Sequence, residues 1–284
     1  PCGFRLCADN SRATFHRIAP PLAHTSCASG PTGARPMAAN DPGNAEGEDL
    51  AVPLPVHWDV EALRGMRVVL YQKNLSPPCC KMRFLLSYYK VPFEKFDGKK
   101  PGSQYTKIPV LDVGDRQIND SHIMVKSLAP ALQGRPLTDD ELQLEWQVTF
   151  GLMVALEKEV ASSMRELYSC ANFMGGCMGC FVRSVSCIVC CLAPRKIGAG
   201  KNLLPIEGYG DLLREHLGAG AFLGGGDRPS VVDVSVFGVI EPFARAECKC
   251  VSKLLGPPGN ALRAWHERMR SASSHVDIFE AGGR

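Results

Sequence analysis

The chain has 284 residues, 45% of them apolar and 21% charged, with a formal net charge of +3. That is the composition of a soluble globular protein, long enough for one large or two ordinary domains. The charge is spread over both halves without a basic stripe that could track phosphates, which argues against a nucleic-acid partner.

Residues 1–60 mix Pro, Gly, Ala, Ser and Arg without periodicity and are expected not to fold alone. Within them, residues 1–40 carry Arg5, Arg12, Arg17 and Arg35 against the single acid Asp9, which fits an organelle transit peptide. Untranslated sequence read through before Met37 fits equally. The expected compartment is cytoplasmic, or organellar if residues 1–40 act as a transit peptide. The thirteen cysteines are odd in number and partly adjacent, as at Cys79-Cys80 and Cys190-Cys191, which favours a reducing compartment over a disulfide framework.

From Gly65 to Gly134 the pattern becomes that of compact α/β structure. Arg67 to Tyr71 reads as a buried strand, and Pro77-Pro78 opens a helix whose Met82, Leu85, Leu86 and Tyr89 share one face. Pro92 to Phe96 can return as a second strand and Val110 to Val113 as a third. Gly114-Asp115 then turns into a short fourth around Gln117-Ile118, and Asn119-Asp120-Ser121 caps a helix that stops near Gly134. This order, β-α-β and then β-β-α, predicts a thioredoxin-like domain over residues 66–135.

Beyond Arg135-Pro136 the strand signals vanish. Thr138 and Glu141 form a capping box, and an all-α domain is expected over 138–275, with helical segments near 139–168, 203–217, 231–247 and 258–272 and a cysteine-rich stretch at 169–193. The fold class is therefore α/β plus all-α. Ser230 and Asp233 form a second capping box, setting a buried helix; that role is structural.

The most informative strings are Ser103-Gln104-Tyr105-Thr106-Lys107-Ile108-Pro109-Val110-Leu111 and Gln117-Ile118-Asn119-Asp120-Ser121. A cis Pro109 at a strand start would turn the Ile108 backbone N–H and C=O toward a peptide-like ligand. Asp120 and Ser121, opening a helix, can hold a charged amino-acid end, the helix N–H groups and hydroxyl taking its carboxylate and Asp120 its ammonium. The plain alternatives are an ordinary strand edge and a cap without ligand.

Together these strings resemble the type-2 prostaglandin E synthase family and, more broadly, the glutathione transferases and glutaredoxins; Phe222-Leu223-Gly224-Gly225 and the segment Pro229 to Phe237 resemble the transferase C-terminal signature. The resemblance implies glutathione bound at Ile108, Pro109, Asp120 and Ser121, a small hydrophobic or electrophilic second substrate, isomerisation of prostaglandin H to prostaglandin E at a thiol-containing site, haem bound with glutathione, and a possible homodimer.

Aligned on the family, Leu70 to Cys79 falls on a segment ending in Cys-Pro-Phe-Cys. Ser76 then replaces the first cysteine, Cys79 matches the second, and Lys73 stands at the family's catalytic tyrosine. Several transferase classes use a serine at the first position, where its hydroxyl donates to the thiolate that glutathione brings. Cys79, three residues on, is expected to be more shielded and less reactive. Ser76 and Cys79 are the candidate catalytic residues; Cys80 is expected to point off the site, and Lys81 and Arg83 to lie on a solvated face. Three readings stay open: a glutathione-dependent transferase or isomerase, a glutaredoxin-like thiol oxidoreductase using Cys79, and a non-catalytic glutathione-binding protein.

The stretch Cys170, Cys177, Cys180, Cys187, Cys190, Cys191 contains two Cys-x-x-Cys pairs, but the gap from Phe181 to Ser186 is short for a zinc ribbon. Reduced, metal-free thiols in a packed helix are expected. Arg183 and several glycines argue against a membrane span across residues 167–193, which leaves peripheral membrane contact open.

Overall fold

The computed structural model describes residues 59–74, 76–174 and 192–276. The expectations for residues 1–58 and for Cys177, Cys180, Cys187, Cys190 and Cys191 lie outside the described residues. At the end of the segment read as unfolded, Asp59 caps a short helix, α1 (Val60–Arg64), by accepting from the Ala62 N–H at 2.8 Å. That turn, between the segment read as unfolded and the thioredoxin-like domain, buries Leu63 in the core.

Four strands, β1 (Val68–Gln72), β2 (Glu94–Asp97), β3 (Val110–Val113) and β4 (Arg116–Asn119), form one sheet in the order β2-β1-β3-β4. The β1–β2 pair is parallel and the β1–β3 and β3–β4 pairs are antiparallel. The parallel pair needs a crossover, supplied by α2 (Pro77–Tyr88), whose two leading prolines occupy positions that require no N–H donor. The antiparallel pair needs only the Gly114 turn, where φ is +62°. After β4 comes α3 (Ser121–Gln133), stopped by Gly134 at φ +74°. This is a thioredoxin-like sheet with its helices.

An all-α region follows: α4 (Asp139–Gln147), a wide π turn (Val148–Leu152), α5 (Met153–Ala161), α6 (Met164–Met174), α7 (Ile206–Leu217), α8 (Val231–Arg245), α9 (Lys249–Leu255) and α10 (Ala261–Ala272). Both expected capping boxes are formed, Thr138 with Glu141 and Ser230 with Asp233. The segment expected as one helix over 139–168 is divided. At the π turn Gly151 receives the Tyr209 ring where a Cβ would collide, and Ser163 accepts from the Glu166 N–H to start α6.

Helix α8 is the spine. Its Phe237 packs on Phe84 of α2 at 5.1 Å between ring centroids, and its Gly238 lies against the Lys81 backbone. Asp233, fully buried, accepts from the N–H groups of Leu223 at 2.7 Å and Ser230 at 3.0 Å, from the Ser230 hydroxyl at 2.7 Å and from the Trp265 indole at 2.8 Å. A carboxylate can stay buried on those terms. Among the described residues, no helix is long and apolar enough to cross a membrane.

Candidate functional site

The strand register places the site. Tyr71 pairs with Val110, and Val110 with Asn119. The loop leaving β1, the segment entering β3 and the turn leaving β4 therefore emerge at one end of the sheet, and with them come Ser76 and Cys79, Ile108 and Pro109, and Asp120 and Ser121.

The Ile108–Pro109 bond is cis, with Ile108 half-buried and Pro109 buried. Asp120 has φ +65° and ψ +131°, a region that non-glycine residues enter at a cost of roughly 1–3 kcal/mol. Strong neighbours hold it: β4 on one side and α3 on the other, whose His122 N–H donates to the Asp120 carboxylate at 2.8 Å. The carboxylate remains half-buried while Ser121 is buried beneath it in the first turn. Tyr105 joins this corner, its phenol pushed up to about 12 by burial and then by the Asp120 charge. It lies inside one of the strings read from the sequence, but an aromatic ring in an irregular segment gave no signal of its own.

Ser76 stands at the N-cap position of α2 with an extended backbone, yet its side chain makes no capping hydrogen bond and is half-buried. Cys79 is fully buried. Burial pushes its thiol up, with a hydrogen bond from Ser76, one from the Lys73 backbone and the Arg83 charge offsetting only part of the rise. Cys80 is pushed up to about 11, again chiefly by burial. Of the two, neither meets the usual description of a reactive thiol, which is exposed and acidic. Lys73 is exposed.

Two residues read as solvated prove to be buried and structural. Arg83, 1% exposed, donates to the Asn74 carbonyl at 2.7 Å, to Cys80 Sγ at 3.0 Å and to the Gln72 side chain, while Gln72 Nε2 donates to Asn74 Oδ1 at 2.8 Å and Asp97 Oδ1 at 3.0 Å. This set braces the loop that carries Ser76. Lys81, with no exposed surface, donates to Glu145 Oε1 at 2.6 Å and Thr149 Oγ1 at 2.7 Å. Glu145 also meets His122 and accepts from the Ser235 hydroxyl at 3.1 Å. A helix face carrying Lys and Arg reads as wet because their partners sit elsewhere; Glu145 is 64 residues from Lys81.

The arrangement can hold a peptide-like anion along the Ile108 backbone, meet an ammonium with Asp120, and present the Ser76 hydroxyl to a third group from the start of α2. It does not offer an accessible protein thiol.

No protein-family profile and no curated protein matches this sequence. Solved structures resemble it in fold. A glutathione S-transferase from Xanthobacter autotrophicus Py2 is 15% identical with a TM-score of 0.46, over 75% of this chain and 97% of that one. Glutathione transferase F7 from Populus trichocarpa is 14% identical with a TM-score of 0.47, over 75% and 96%. A rice enzyme, GST1 in complex with glutathione, is 19% identical with a TM-score of 0.39, over 75% and 91%. The thioredoxin-like assignment stands on the strand order and register given above.

Proposed function

We propose that this protein binds glutathione and acts as a transferase of glutathione-transferase type, with Ser76 activating the thiol that the ligand supplies. The observation that carries the reading is the register, which brings the Ser76 loop, the cis Ile108–Pro109 bond and the Asp120–Ser121 helix start to one end of the sheet. In this reading the γ-glutamyl end lies at Asp120 and Ser121, the peptide-like middle runs along Ile108, and the Ser76 hydroxyl donates to the sulfur, favouring the thiolate. Glutathione supplies the nucleophile; the chain orients it and lowers its pKa.

The oxidoreductase alternative needs Cys79 as nucleophile, and full burial with a raised pKa disfavours that. Prostaglandin isomerisation is the narrower reading that the sequence resemblance suggests; with Ser76 and Lys73 at the family's thiol and tyrosine positions, it is placed second. Haem is implied by the sequence resemblance alone, and the proposed chemistry does not use it.

The test is the ultraviolet absorbance of the bound thiolate, followed against pH. Ser76→Ala should raise the thiol pKa of bound glutathione and lower turnover of model electrophiles, while Cys79→Ser should leave both nearly unchanged. Unchanged behaviour in Ser76→Ala with loss of activity in Cys79→Ser would hand the chemistry to the protein thiol.

A further inference from the structure

Outside this site, three cysteines and a carboxylate from two segments converge. On α6, Glu166 and Cys170 are four residues apart and so lie on one face. At the start of α9, Cys248 is the cap residue and Cys250 follows two residues later. The ligand atoms of Glu166, Cys248 and Cys250 all lie within 4.8 Å of one another, and Cys170 Sγ is 3.4 Å from Cys248 Sγ.

We propose that Glu166, Cys170, Cys248 and Cys250 form a zinc site that fastens α6 to the start of α9. Within 170–191 the gap between the two Cys-x-x-Cys pairs is short for zinc. The structure instead brings Cys170 against Cys248, 78 residues away, which no local motif connects.

The dimensions suit a tetrahedral ion. Thiolates about 2.3 Å from zinc stand ~3.8 Å from each other. The Cys170 and Cys248 sulfurs are 3.4 Å apart and the ligand atoms of Glu166, Cys248 and Cys250 within 4.8 Å, so side-chain rotations that carry Cys170 toward the other two ligands close the site. Glu166 is already oriented, since its Oε2 accepts from the Lys249 N–H at 2.7 Å, an outer contact of the kind that fixes a metal ligand. The mixture of sulfur and carboxylate selects zinc over copper(I), which favours sulfur alone. Cys248 also lines a cavity of about 280 Å³ whose wall carries Glu247 and Glu267 alongside Arg263 and Arg270. On binding, the zinc ion replaces three thiol protons, which leave to the buffer; nothing is oxidised or reduced.

The experiment is a cobalt(II) titration of the full chain, reduced and under nitrogen, followed by displacement with zinc. One equivalent should produce the visible bands of tetrahedral cobalt together with thiolate-to-cobalt charge transfer, and zinc should abolish both. Cys248→Ser with Cys250→Ser should weaken binding by roughly a hundredfold or more, exceeding the usual effect of losing an outer contact. A wild-type chain without these bands overturns the proposal, and so does a double variant that keeps them, because the metal then sits on other cysteines. If the serine variant does not fold, wild-type crystals grown with zinc decide: anomalous density between Cys248, Cys250 and Glu166 supports the site, and density elsewhere or none overturns it.

Discussion

Asp120 carries two duties that pull on the same carboxylate. It caps α3 through the His122 N–H, and in the proposed complex it also meets the ammonium of the ligand. Carboxylates have lone pairs enough for both, and the backbone at φ +65° holds this one against the helix start. The two duties can be separated by substitution. Asp120→Asn keeps an acceptor for the cap and removes the charge, so it should weaken glutathione binding with little change in melting temperature. Asp120→Ala with Ser121→Ala removes both polar partners and should cost roughly 2–5 kcal/mol of binding free energy by calorimetry. It should also lose about 1 kcal/mol of stability with the cap. Unchanged affinity in the double variant would mean that the γ-glutamyl end lies elsewhere. These residues were legible in the sequence because a Pro at a strand start and an acid-Ser pair at a helix start are local patterns. The brace under the Ser76 loop was not: Gln72, Asn74 and Arg83 form no motif of their own, and a cation inside a helix pattern reads as wet until the chain folds around it.

Between α2 and α8 the contact is close because Gly238 has no side chain. A Cβ there would stand 3.2 Å from the Lys81 Cα and 3.2 Å from the Phe84 Cβ. The neighbouring backbone leaves little room to give. Gly238→Leu should therefore push the helices apart and cost about 1–3 kcal/mol in urea denaturation, more than its gain in helix propensity returns. If the variant is as stable as the parent, α2 and α8 are not packed at this depth. The sequence showed α8 through its capping box and apolar run, but not that Gly238 is a contact point, since a lone glycine in a helix pattern says nothing about its neighbour. Helix α9 was missed for a related reason: its seven residues are too few to reveal a period, and only Gly256 at φ +73° marks where it stops. By contrast, β3 was read with its true ends, because short apolar runs bounded by Pro109 and Gly114 carry their own punctuation.

Across the whole molecule, the sheet and the helical region share one buried network, and its chemistry sets how the protein meets acid. Glu145 is reached by Lys81 from α2, His122 from α3, Thr149 from the π turn and Ser235 from α8. Burial alone would raise its pKa; Lys81 and His122 outweigh that and hold it at about 2, below the ordinary 4.5. Glu241 is likewise held at about 2, where His266, Arg270 and Arg245 outweigh burial. A carboxyl whose folded pKa is depressed contributes stability that is complete above the unfolded value and is lost as pH falls through the folded one. Unfolding free energy should therefore fall steadily from about pH 4.5 toward pH 2 as these carboxyls take up protons. Lys81→Met strips Glu145 of its strongest partner in a dry site and should cost about 3–5 kcal/mol at neutral pH. With the depression lifted, the acid limb due to Glu145 should flatten in that variant. Adding Glu145→Gln removes the stranded charge while keeping an acceptor for the neighbouring hydroxyls, so the double variant should recover a large part of the loss. Urea curves at neutral and acid pH, read by circular dichroism, test all three expectations. A double variant no more stable than Lys81→Met alone would show that the two charges are not coupled, and two separate unfolding transitions in the parent would show that the network does not join the sheet to the helices.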